Sequence, residues 1–164
     1  QFKRVSICFS IEGTGRLYSY IRGGKYDLET FEKTLEEYSK LGNVQIMFNV
    51  TLQNYNVFNL PELHHFLYSL EDKYPRVSAN NSFTTICNQP TYLSPLNLPD
   101  ELRDQAVERL SLYDDFKKLV VSMNKRKFSE EQWDIFINYT KDLDKLRGDN
   151  VVEAVPQLKE YFVC

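Results

Sequence analysis

The stretch VSICFSIEGTGRLYSYIRGG, residues 5–24, opens as a β-strand and closes as a glycine-rich loop. Strand side chains alternate between faces, so Val5, Ile7, Phe9 and Ile11 fall on one side and Ser6, Cys8, Ser10 and Glu12 on the other. A turn bracketed by Gly13 and Gly15 follows, then a short phenol-rich helical turn, then Arg22 ahead of Gly23 and Gly24. A strand with one apolar face and one small, polar face reads as half-buried. What the polar face meets, water or a ligand, is the question the rest of the chain must answer.

The pattern repeats downstream. Residues 44–52, VQIMFNVTL, place Val44, Ile46, Phe48 and Val50 on one face and Gln45, Met47, Asn49 and Thr51 on the other. Between the two strands, residues 28–41 carry Leu28, Phe31, Leu35, Tyr38 and Leu41 at helical spacing, with Asp27 as N-cap and Gly42-Asn43 as the stop. A second helix over 61–74 begins at Pro61, where a missing N–H costs nothing, and is stopped by Pro75. A third strand is predicted through SFTTICNQP, residues 82–90. The order β-α-β-α-β implies parallel strands joined by helical crossovers. The remainder reads as helical. Residues 100–123 carry Leu102, Ala106, Leu110, Tyr113 and Leu119 on one stripe. Ser129 with Gln132 predicts a capping box for a helix over 130–146, and a short tail closes the chain.

Composition bounds the function classes. The 164 residues are 42% hydrophobic and 14% aromatic, enough for a globular core. The net charge of −3 gives no electrostatic footprint for nucleic acid. The tightest basic run, Lys125-Arg126-Lys127, reads as a solvated turn beside Phe128. Cys8, Cys87 and Cys164 have neither metal-ligand spacing nor an even count, so neither a disulfide framework nor a cluster site is expected within the chain. No apolar run approaches the ~20 residues of a membrane span, and no signal peptide opens the chain. A cytoplasmic protein with reduced thiols is the expectation. A first residue of Gln1 rather than Met fits a chain that starts inside a longer one, or one that has been processed.

Three arrangements accommodate the polar face lined by Ser6, Ser10, Glu12, Gln45, Asn49 and Thr51. The strands belong to an open two-layer sheet with one wet side, to a filled barrel whose polar groups pair with one another, or to a barrel cavity holding a polar ligand. The third is the expectation here, because the most polar positions fall late in each strand, where β/α folds bind ligands. Two loops follow those ends: residues 13–24, with Arg22, and residues 53–61, with Asn54, Asn56 and Asn59. Asparagines ahead of a helix also serve as caps and turn residues, and Arg22 has an alternative reading as a surface cation near Glu12. Tyr18, Tyr20 and Tyr55 either stack a planar group at this mouth or pack the core. His64 and His65, adjacent within a helix, point in different directions and read as packing or surface residues. No catalytic residue and no metal ligand is assigned.

Several segments, in order, resemble radical S-adenosylmethionine (SAM) enzymes of the SPASM/twitch branch. SIEGTGRLYSYIR resembles their fourth-strand segment, with Ser10, Glu12, Gly13 and Arg22 at the family spacing and Glu in place of the usual Asp. FNVTLQNYNVFNL is similar to the fifth strand and turn, with Thr51 and Asn56 at the polar positions. NQPTYLSPLNLP is similar to the sixth strand and its exit, with Pro90, Leu93, Ser94, Leu98 and Pro99 matching, and RGDNVVEAVPQLKEYF resembles the C-terminal stretch of twitch-bearing members. The family's CxxxCxxC loop and its Gly-Gly-Glu-like segment have no counterpart here, nor do the cysteines of an auxiliary cluster.

The resemblance implies the C-terminal half of a partial (β/α)6 barrel over residues 1–98 with a helical extension over 99–164. It implies SAM as cofactor, and a [4Fe–4S] cluster held by residues outside this chain. The chemistry would be reductive cleavage of SAM to a 5′-deoxyadenosyl radical, the cofactor doing the hard step and the protein orienting it. Ser10 and Glu12 would bond the ribose, Arg22 the carboxylate, Thr51 and Asn56 the ribose and methionine, and the backbone from Pro90 to Leu93 would flank adenine. The implied partner is the N-terminal half-barrel, in the same chain or a separate subunit. The alternative is a non-catalytic half-barrel acting with a partner protein. The first reading predicts an exposed, pairing-competent first strand; the second predicts an edge blunted by charge or covered by the C-terminal helices.

Overall fold

A computed structural model describes residues 3–24 and 26–162. β1 (Val5–Ser10) runs parallel to β2 (Val44–Asn49), with Val5 opposite Val44 and Ser10 opposite Asn49. Past Val50 the second strand continues as β3 (Thr51–Leu52). The third strand position is shared by β4 (Val77–Ser78), parallel to β2, and β5 (Thr85–Ile86), parallel to β3. The fold is therefore mixed α/β with parallel strands, in the order β1-β2-β4 and β3-β5.

The third strand differs from the continuous one predicted over 82–90. It begins earlier, at Val77, and is broken between β4 and β5. Asn81 adopts a left-handed conformation (φ 62°), and the Ser82 hydroxyl donates to the Ala79 carbonyl at 2.6 Å. Such local bonds compete with the ladder. Pairing survives the break through Val50, whose N–H donates to the Ser82 carbonyl at 2.9 Å.

Three helices are interleaved with the strands: α1 (Gly15–Ile21), α2 (Leu28–Ser39) and α3 (Leu60–Lys73). Asp27 caps α2 by accepting from the Thr30 N–H at 2.6 Å. Phe31 and Leu35 of α2, and Leu60, Leu63, Leu67 and Leu70 of α3, share one apolar cluster with Val44, Ile46, Phe48 and Val50. The Phe31 ring of α2 lies 5.7 Å from Phe9, 6.3 Å from Phe48 and 6.4 Å from Phe66 of α3, which places both helices on the same side of the sheet as the odd-numbered residues of β1.

The C-terminal helices are α4 (Asp100–Leu110), α5 (Lys117–Lys125), α6 (Glu130–Arg147), α7 (Val151–Ala154) and α8 (Lys159–Phe162). The single helix predicted over 100–123 is two. The break forms because Asp115 bonds to His64 Nε2 at 3.1 Å and to the Tyr68 hydroxyl at 3.0 Å, while Phe116 is fully buried 5.0 Å from Phe83. Tertiary contacts override the helical period there. The capping box of α6 is half made. Ser129 Oγ accepts from the Gln132 N–H at 3.4 Å, but the Ser129 N–H donates to Asn97 Oδ1 at 2.9 Å, and Gln132 instead accepts from the Thr91 hydroxyl. Gly148, at φ 62°, ends α6 in the left-handed conformation that glycine adopts without steric cost. Among the described residues no helix is long and apolar enough to cross a membrane.

Two predictions test this packing. Ile46→Ala, at a fully buried position in the central strand, is expected to lower stability by about 2–5 kcal/mol, read from urea unfolding. Burial among aromatic rings holds the His64 imidazole below its ordinary value, with Asp115 opposing. Its contribution is thus complete above about pH 6.5 and is lost as pH falls through the lowered folded value. The melting temperature is expected to drop between about pH 7.5 and about pH 5, and to drop less in His64→Gln.

Candidate functional site

The polar face of the sheet is open. Ser6, Cys8 and Ser10 of β1 are exposed, as are Met47 and Thr85, while Gln45, Asn49, Thr51 and Ser78 are half-buried. Register makes these residues contiguous: Ser6 lies beside Gln45, Cys8 beside Met47 and Ser10 beside Asn49. The face expected to line a ligand cavity is open to solvent in this chain. Parallel sheets are ordinarily covered on both faces.

The outer edge of β1 is also free of strand partners among the described residues. The N–H groups of Val5 and Ile11 point to β2, bonding the carbonyls of Asn43 and Asn49. The backbone groups of Ser6, Cys8 and Ser10 therefore point outward.

At the C-terminal end of this edge the residues singled out first come together. Arg22 follows the last residue of α1. Its Nη2 bonds the outward carbonyl of Ser10 and lies 2.8 Å from Glu12 Oε2. The Glu12 side chain is 12% exposed and that of Arg22 33%. The ion pair lacks hydrogen-bond alignment at Oε2, and Arg22 Nε also has no hydrogen-bond partner. Burial pushes the Glu12 carboxyl above its ordinary value, and Arg22 opposes that rise. The cluster thus holds one donor without a hydrogen-bond partner, Arg22 Nε, beside a carboxylate oxygen held by the ion pair alone.

Thr51, Asn56 and Leu93 form a second group. The Asn56 side chain is buried and holds the turn: Oδ1 accepts from the Gln53 N–H at 2.9 Å and Nδ2 donates to the Thr51 carbonyl at 2.8 Å. The Leu93 carbonyl accepts from the Asn54 N–H at 2.9 Å, and its side chain packs against the core. Asn54, fully buried, donates to the Tyr92 carbonyl at 2.8 Å and leaves its Oδ1 unpaired.

Asn59 and Gly13, both noted in the sequence, position the first loop. Asn59 does not cap α3. Its Oδ1 accepts from the Thr14 N–H at 2.7 Å and its Nδ2 donates to the Thr14 hydroxyl at 2.9 Å. Gly13 is required by space, since a Cβ there would sit 2.9 Å from Leu17. Nothing local in the sequence marks the Thr14–Asn59 pair. The three tyrosines pack rather than line a mouth. Tyr18, Tyr20 and Tyr55 are buried, the Tyr20 hydroxyl donates to Asp144 at 2.8 Å, and the Tyr55 hydroxyl lies 2.7 Å from Thr140 Oγ1. Burial raises the pKa of all three phenols.

Cys8 is exposed and Cys87 buried; Cys164 lies outside the described residues. Among the described residues no group of His, Cys, Asp and Glu is arranged to hold a metal ion.

Comparison with known proteins yields no match to a family model, a curated protein or a solved structure.

The Glu12–Arg22 pair has a direct test. Followed by NMR titration, the Glu12 carboxyl is expected to titrate above the usual glutamate value of about 4.3, and higher still in Arg22→Gln. Because the folded value is raised, the Glu12 contribution to stability is complete below the unfolded pKa and is lost as pH rises through the folded one. The melting-temperature difference between wild type and Glu12→Gln is expected to shift against wild type over that window.

Proposed function

We propose that this chain is the C-terminal, SAM-binding part of a cytoplasmic radical SAM enzyme of the SPASM/twitch branch. In this reading it is half of a partial (β/α)6 barrel whose other strands pair along the free edge of β1. The observation that carries the reading is the Ser10–Glu12–Arg22 cluster at the C-terminal end of that open-edged strand. Parallel-stranded folds bind ligands at this end, and the cluster falls on the segment with the family's strand-four spacing.

The residues present fit the ligand. An arginine with a free Nε suits a carboxylate, which guanidinium recognises through parallel N–H donors. A carboxylate suits ribose hydroxyls, which need acceptors. Arg22 would therefore bond the methionyl carboxylate, while Ser10 and Glu12 would meet the ribose. Asn56 holds the turn from which Thr51 faces the ligand, and the backbone through Leu93 flanks the adenine. The implied chemistry of bound SAM, reductive cleavage to a carbon radical, requires an electron from a cluster whose ligands lie outside this chain. This chain's own part is to bind and orient. A second reading, a non-catalytic half-barrel acting with a partner protein, rests on the same free edge of β1.

Titration of SAM into the 15N-labelled chain tests the binding. Amide signals of Ser10, Glu12, Gly13 and Arg22 are expected to shift saturably, with at least about tenfold weaker binding in Arg22→Gln, a loss of about 1.4 kcal/mol. Unmoved signals in the folded chain, or equal binding by the variant, would sink the proposal. Reading the coding DNA upstream of Gln1 separates the two functions: an in-frame CxxxCxxC segment supports the enzyme, and its absence supports the module.

A further inference from the structure

At the opposite end of the sheet, where the strands begin, lies an open cleft of about 430 Å³. Its lining includes Lys3, Arg4 and Arg76 and no carboxylate. In a chain of net charge −3, three cations around one cleft without an acid among them are a local reversal of sign. Both arginines are anchored at one nitrogen only. Arg4 Nη2 bonds the Gln45 side-chain oxygen, and Arg76 Nη1 donates to the Gly42 carbonyl at 2.5 Å. Their other N–H groups take no acceptor among the described residues, and Lys3 has neither a hydrogen bond nor an ion pair there. The guanidinium groups are thus oriented by the protein while most of their donors stay free.

The C-terminal ends of α2 and α3 reach the same end of the sheet, and cations near helix C-termini are commonly there for the helix dipole. That role is already filled. Lys40, just past α2, pairs with Glu36 at 3.0 Å, and Lys73, in the last turn of α3, pairs with Glu32 at 3.2 Å. Arg4 directly precedes β1 and bonds the Gln45 side chain of β2 rather than a helix carbonyl.

We propose that this cleft is a binding site for a small phosphate-bearing ligand. Two arginine forks match the tetrahedral oxyanion, and a lysine adds a mobile point charge. Mutual repulsion of three cations is relieved when a polyanion enters, so binding also stabilises the fold. The site is independent of the Glu12–Arg22 cluster, which stands beyond the other end of β1.

The test is calorimetric titration of inorganic pyrophosphate into the purified chain at about 150 mM salt, where long-range attraction is screened. Saturable one-to-one binding is expected, weakened at least about tenfold by Lys3→Gln and by Arg76→Gln and unchanged by Lys40→Gln. Arg76→Gln also removes the bond to Gly42. Lys3→Gln, with no partner to lose, decides the matter if Arg76→Gln does not fold. Absence of saturable binding, or undiminished binding in Lys3→Gln, overturns the proposal. Binding of an oligonucleotide without binding of pyrophosphate also overturns it, since the site would then follow a polymer backbone.

Discussion

A parallel sheet covered by helices on one face only is the constraint from which the rest of this molecule follows. Side chains alternate with a period of two, so once Val44, Ile46, Phe48 and Val50 meet α2 and α3, every intervening residue must face away. Apart from Met47 the intervening residues are polar or small, and they lie in water at little cost. An apolar set there would be an exposed patch. The same alternation leaves the backbone groups of Ser6, Cys8 and Ser10 pointing off the edge of β1, where Arg22 meets the Ser10 carbonyl.

The position of Arg22 depends in turn on how α1 is held. Asp144 of α6 accepts the Tyr20 hydroxyl through Oδ1 and the Val151 N–H through Oδ2, at 2.8 and 2.9 Å. Arg147 donates to the Tyr20 carbonyl at 3.0 Å, and Arg16 pairs with Asp149. Asp144, Arg147 and Asp149, three groups from the end of α6 and the loop after it, thus grip the short α1, which is too short to be stable by itself. The Tyr55–Phe136 contact at 5.1 Å and the Tyr55–Thr140 hydrogen bond carry the same helix onto the loop after β3. Both halves of the candidate site therefore rest on α6, although none of its residues belongs to the site.

The electrostatics of the Glu12–Arg22 pair follow from this placement. A carboxyl that is only 12% exposed loses hydration on folding, and a single guanidinium nitrogen compensates in part. The pair is held by one contact at 2.8 Å and leaves Arg22 Nε without a hydrogen-bond partner. A fully satisfied pair would be a structural ion pair and nothing more.

The order of strands and first helices was legible in the sequence because local physics decides it. Alternation marks β1 and β2, Asp27 is a cap wherever its helix lies, and Gly148 ends α6 because it alone takes a left-handed turn freely. The nearness of Arg22 to Glu12 was legible too, since both lie on one short loop. What the sequence could not settle depends on distant partners. The third strand breaks where Asn81 and Ser82 form a turn between β4 and β5. The helix over 100–123 breaks because His64 and Tyr68 hold Asp115. Asn59 turns from its own helix to Thr14, and the Ser129 N–H turns to Asn97. The open polar face belongs to this second class. Alternation determines which residues share a face, but whether that face is covered depends on where helices far along the chain come to rest.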